Sequence, residues 1–87
     1  MLKQSTRQMV FNALTAANLH GKESRQLIED FLGGKDLELL ELELDSLATM
    51  EFCIYLELNY EVLVIPHQVH QYNSLNELAM YIEELLS

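Results

Sequence analysis

The apolar residues of this chain recur every three to four positions along four separate segments, and the one stretch that alternates has no second alternating stretch to pair with. That pattern leaves a helical bundle as the way to bury the apolar faces. Met9, Ala13 and Ala17, with Val10 and Leu14 alongside, form one face of a helix predicted over residues 2–19. Asn18 to Gly21 supplies its stop, with His20-Gly21 as the C-terminal signal. Leu27, Ile28, Phe31 and Leu32 repeat the spacing in a short second helix over residues 23–32, closed by Gly33-Gly34. The alternating stretch runs from Lys35 to Leu44 and sets its leucines against Asp36, Glu38, Glu41 and Glu43. An isolated strand has nothing to pair with. The stretch is read as an extended loop pinned to the core by its leucines, with at most a helical turn inside it.

Residues 46–60 form the most regular helix, and Asp45 is a good N-cap for it. The chain leaves the helical region before Ile65-Pro66. Val62 to Ile65 reads as a buried connector, and His67 to Tyr72 as one or two helical turns. Ser74-Leu75-Asn76-Glu77 is a capping-box pattern that opens a last amphipathic helix carrying Leu75, Leu78, Ala79, Ile82, Leu85 and Leu86. The predicted fold is all-α and a single domain, residues 1–87. It has three main helices plus one or two short ones, with a long loop between the first helix and the helix that starts at Ser46.

A chain of 87 residues buries only about 60–65% of its unfolded surface. It can build one core, but not a core and a deep enzyme cleft, so no catalytic activity is expected. Fourteen acids against five bases give a net charge of −9. Such a surface repels phosphate backbones and argues against nucleic-acid binding. It is drawn instead toward basic protein surfaces. Cys53 is the single cysteine, so no internal disulfide can form. The start Met1-Leu2-Lys3-Gln4-Ser5 opens no apolar signal segment, and no apolar run is long enough to span a membrane. A cytoplasmic monomer is the expectation.

The helix over residues 46–60 is apolar on too many sides for a surface helix. Phe52, Cys53, Leu56 and Tyr60 make one stripe, and Leu47, Met50, Ile54 and Leu58 make another. At about 100° per residue the two are centred on different sides of the cylinder. Either the helix is buried all round, or one stripe packs inward and the other stays open to a partner or ligand. Glu51 and Glu57 must reach water, which argues against complete burial. Ser46 sits at the start of this helix, where free amides and the helix dipole favour an anion. Asp-Ser ahead of a helix is also an ordinary cap, and chemistry alone does not separate the two roles.

The run Leu44-Asp45-Ser46-Leu47-Ala48-Thr49-Met50-Glu51 resembles the attachment motif of acyl carrier proteins. The likeness continues through Leu56-Glu57, Tyr60, Ile65-Pro66 and Ser74-Leu75 to Tyr81-Ile82, so it covers roughly residues 40–86. The resemblance implies an acyl-carrier-like helical bundle. It implies that Ser46 carries a 4′-phosphopantetheine arm derived from coenzyme A, with Asp45 its neighbour in the motif. It implies that Leu47, Met50 and Ile54 lie beside the arm and face partner enzymes, and that Glu51 and Glu57 dock on basic patches. The implied partners are a phosphopantetheinyl transferase and acyl-loading and acyl-processing enzymes of fatty-acid, polyketide or related biosynthesis.

The chain also departs from that family. Glu43 stands three residues before the serine, where glycine is common. Leu58 and Asn59 replace acids, Glu61 to Ile65 is one residue longer than in the common fatty-acid carrier, and His67, Gln68 and His70 replace an acidic turn. These differences point to a specialised carrier rather than a housekeeping one. The rival reading is a helical interaction module that uses the Leu47-Met50-Ile54 stripe with no prosthetic group. His67 and His70, three apart, are better read as solvated turn residues than as metal ligands. Cys53 on an apolar face reads as a small hydrophobe. Gly33-Gly34-Lys35 lacks the spacing of a phosphate loop and reads as a chain-breaking turn.

Overall fold

The computed structural model describes residues 2–17 and 22–86. The stop expected at Asn18 to Gly21 lies outside the described residues. The described chain is all-α: α1 (Gln4–Ala16), α2 (Lys22–Leu32), a 3-10 turn (Leu39–Leu42), α3 (Ser46–Tyr60), α4 (Pro66–Val69) and α5 (Leu75–Leu86). The second helix is not short. It runs 11 residues against 12 for α5, so four longer helices share the bundle rather than three. No described helix is long and apolar enough to cross a membrane.

The end of α2 explains the glycine pair. Gly34 has φ +116, a conformation side chains rarely adopt. Its amide donates to Phe31 O at 3.0 Å, and the Lys35 amide donates back to Asp30 O at 3.0 Å. This is the reciprocal closing motif of helix C-termini, and it turns the chain sharply. Arg7, buried on α1, adds a cap from the side. Its Nη1 donates to Phe31 O at 2.8 Å and to Lys35 O at 3.4 Å, with the guanidinium 4.8 Å from the centre of the Phe31 ring. A cation at a helix C-terminus also meets the negative end of the dipole.

After the turn the chain is extended, as expected, but it does find a partner. The Leu39 amide donates to Asn73 O and the Leu75 amide to Leu37 O, each at 2.9 Å, forming one antiparallel bridge between Glu38 and Ser74. Leu37, Leu39 and Leu42 are buried, while Leu40 is exposed. The connector after α3 alternates likewise: Val62 and Val64 are buried, but Leu63 and Ile65 face solvent. The expectation of a wholly buried connector therefore fails at two positions. The cause is extended backbone, which sends successive side chains to opposite faces.

The core takes Val10 and Leu14 from α1, Phe31 from α2, Phe52 and Leu56 from α3, and Leu78 and Ile82 from α5, all with no exposed surface. Polar ties fix the helices around it. Asn12 Nδ2 donates to the Tyr60 hydroxyl at 3.1 Å, and Gln68 Nε2 to the Tyr81 hydroxyl at 2.9 Å. Ser74 and Glu77 exchange the expected capping-box bonds at 3.1 and 3.2 Å. Glu83 on α5 accepts from the Lys3 amide at 2.9 Å and from Thr6 Oγ1 at 2.8 Å, which serves the start of α1. Those bonds, the backbone one first, hold its carboxyl below the usual carboxylate range. The stability the tie contributes is therefore fully present above that range and is lost as pH falls below it, through the lowered value of the folded protein.

Candidate functional site

α3 starts where the sequence says it starts. Asp45 has extended backbone, and its Oδ1 accepts from the Ala48 amide at 2.7 Å. The Thr49 hydroxyl donates to Asp45 O at 2.8 Å, so a second bond locks the first turn. With the cap on Asp45, Ser46 is the first helical residue, and both are exposed. The serine hydroxyl thus stands in solvent at the amide end of a 15-residue helix. An anion attached there is favoured by free amides and by the dipole.

The two stripes of α3 separate cleanly. Phe52, Cys53 and Leu56 are buried and Tyr60 is half-buried. On the other side, Leu47 is 65%, Met50 50%, Ile54 45% and Leu58 76% exposed. Leu63 and Ile65, past the helix end, are exposed as well. Glu57 is exposed and Glu51 half-buried. At about 100° per residue, Glu57 falls on the Ser46 side of the exposed stripe and Glu51 on its far edge. Ser46, Leu47, Met50, Ile54, Glu51 and Glu57 therefore share one surface, with the serine at its end. The charge lies at the rim and the apolar residues in the middle.

The approach to Ser46 is strained. Glu43, which caps the 3-10 turn, has φ 50 and ψ 47, the left-handed region. That conformation costs an ordinary residue about 1–2 kcal/mol. Glycine would relieve it, less the greater freedom glycine has when unfolded. Glu43→Gly is expected to stabilise the fold by up to about 1 kcal/mol, read as a melting temperature several degrees higher. An unchanged or lower melting temperature would mean that the Glu43 side chain makes up for its backbone.

Beside the helix start lies a groove of about 440 Å³. Leu39, Leu40, Leu44, Val69 and Tyr72 form its apolar lining, and Glu38, Glu43, His70 and Asn73 its polar one. The sequence did not reveal it, because its walls come from the 3-10 turn and the end of α4, two short elements without helical periodicity. His70 is exposed, yet its Nε2 lies 3.3 Å from Thr49 Oγ1, tying α4 to the first turns of α3. The sequence reading treated His70 as a solvated turn residue. Among the described residues, no group of three or more His, Cys, Asp or Glu side chains is arranged to hold a metal. Burial pushes the Cys53 thiol up to about 11, so at neutral pH it stays protonated.

No protein-family model matches the chain, and no curated protein or solved structure matches it.

Proposed function

We propose that this chain is a carrier protein whose Ser46 bears a 4′-phosphopantetheine arm. The observation that carries the proposal is the exposed Ser46 hydroxyl at the amide end of α3, at one end of an exposed apolar stripe rimmed by acids. Two further features support it. Residue 43 takes the left-handed backbone that glycine favours, at the position where the resemblance has glycine. The order from Ser46 onward, with α3 followed by the short α4 that opens at Pro66 and then by α5, is the order the resemblance gives over that stretch.

The arm, once attached, supplies a thiol that holds an acyl group as a thioester. The rest falls to the chain's own residues. Asp45 fixes the helix start and thereby aims the Ser46 hydroxyl outward. Leu47, Met50, Ile54 and Leu58 give a partner an apolar footing next to the tether. Glu51 and Glu57 add the charge that speeds encounter with a basic patch. Such docking releases quickly, which suits a protein that must visit several enzymes of fatty-acid, polyketide or related biosynthesis. A cargo tethered on a flexible arm meets each enzyme at high effective concentration.

The test is intact mass after incubation with coenzyme A, Mg²⁺ and a phosphopantetheinyl transferase. The expected result is the gain of one phosphopantetheinyl group, absent in Ser46→Ala, with the melting temperature of that variant unchanged. No gain in the wild type, or a gain that survives Ser46→Ala, would defeat the proposal and leave an interaction module that uses the apolar stripe alone.

A further inference from the structure

The walls of the groove between the 3-10 turn and the end of α4 are fixed in place. The bridge between Glu38 and Ser74 fastens the 3-10 side, through bonds of 2.9 Å from the Leu39 amide to Asn73 O and from the Leu75 amide to Leu37 O. Thr49 holds His70 at 3.3 Å, and the Tyr72 ring stacks on Tyr81 with centroids 5.6 Å apart. The groove's volume of about 440 Å³ falls among those of sites that enclose a ligand, about 300–1,000 Å³.

Its lining carries groups that the chain itself does not use. Leu40 is 86% exposed, more than any other large apolar side chain among the described residues. The Glu43 carboxylate and the Asn73 side-chain amide make no hydrogen bond or ion pair with any described residue. The Glu38 carboxylate, by contrast, caps the 3-10 turn. Glu43 also holds left-handed backbone, φ 50, at a cost that glycine would avoid. A strained residue whose side chain serves nothing inside the fold points to a use outside it.

Charge selects the occupant. Lys35 is the last Lys or Arg in the chain, and eleven of the fourteen acids follow it. Glu38 and Glu43 line the groove, and no Lys or Arg does. An anion is repelled there. A wholly apolar ligand would strip water from the carboxylates and return nothing. A ligand that joins an apolar body to a cation meets both needs. A peptide supplies the two on neighbouring residues, with backbone groups to bond the Asn73 side chain. We propose that the groove binds a basic, apolar segment of a partner protein. An aliphatic side chain of that segment packs on Leu39, Leu40, Leu44 and Val69, and a flanking lysine or arginine pairs with Glu43. This surface is distinct from the apolar stripe of α3, and the proposal does not depend on Ser46 being modified.

The test uses the full, unmodified chain and a fluorescein-labelled peptide that alternates leucine and lysine. A second peptide has serine in place of lysine. Anisotropy gives the affinities, and amide shifts in two-dimensional NMR locate the contact. The lysine peptide is expected to bind and to shift residues 38–44 and 69–73, and the serine peptide to bind at least about tenfold more weakly. Glu43→Gln keeps the size of residue 43 and removes its charge, so it should weaken the lysine peptide about threefold. Leu40→Ala should weaken it about tenfold, and thermal melts check that both variants fold. Glu61→Gln removes an exposed carboxylate at the far end of α3 and should change the affinity by less than about twofold. Equal weakening by Glu43→Gln and Glu61→Gln would reduce the binding to general attraction toward an acidic chain. Shifts confined to the α3 stripe would move it to another surface. Groove shifts that grow with the concentration of the chain alone would seat a second copy there. Any of these, or no binding of the lysine peptide, overturns the proposal. None of them bears on the carrier reading, which stands or falls on the mass gain at Ser46.

Discussion

Phe52→Ala is expected to destabilise the protein by about 3–5 kcal/mol, while Ile54→Ala, two residues along the same helix, should cost less than about 1 kcal/mol. The difference is one of facing. Phe52 has no exposed surface and sits among the side chains of the other helices. Truncating it removes the transfer energy of a ring and leaves a cavity that the surrounding helices fill only in part. Ile54 is 45% exposed, so alanine there forfeits part of one side chain's burial and opens no void. A domain of this size has roughly 4–13 kcal/mol in total, so the first variant stands near its unfolding threshold at ordinary temperature. Denaturant titration reads both through the midpoint at constant slope. Equal losses at the two positions would make α3 a helix buried all round, and the proposed docking surface would disappear with the distinction.

The elements that could be read from the sequence are those whose signals are local. Asp45 caps α3 because a carboxylate reaches its own third following amide, and that geometry depends on nothing distant. Ser74 and Glu77 behave the same way. The two stripes of α3 followed from periodicity, though which stripe faces inward required the other helices. Partners far apart in the chain could not be read. The stretch ahead of Ser46 alternates because Leu37 and Leu39 pack inward. The residues it pairs with, 73 to 75, are too few to show an alternation of their own. The histidine departures were visible as letters, but the Thr49–His70 contact that gives His70 a position spans 21 residues. That Glu43 stands where the resembled family commonly has glycine was legible in the sequence, and the left-handed backbone there gives the difference a physical meaning.

Arg7 illustrates the same limit, and it should be the most damaging polar residue to lose. A polar residue on the first helix gives no sign in the sequence of being buried, yet only 8% of it is exposed. Arg7→Ala is expected to cost about 2–3 kcal/mol, from a charge-assisted bond to Phe31 O and lost contact with the Phe31 ring. Phe31 O keeps the bond it accepts from the Gly34 amide, so the carbonyl is not left bare and the cost stays below that of a fully orphaned group. Arg7→Lys should recover only part of the loss, because an ammonium cannot lie flat on a ring and fork to two carbonyls. Arg7→Met keeps the apolar stem and separates packing from charge. If the methionine variant is as stable as the wild type, the guanidinium contributes nothing beyond its carbons. If it falls toward alanine, the cap on α2 is what matters. The chain from that cap to Ser46 is the loop carrying Glu43 and Asp45. The capping role therefore predicts faster amide exchange along residues 33–45 in Arg7→Met, with protection in α5 little changed. Uniform loss of protection across all helices would instead make Arg7 a general core residue.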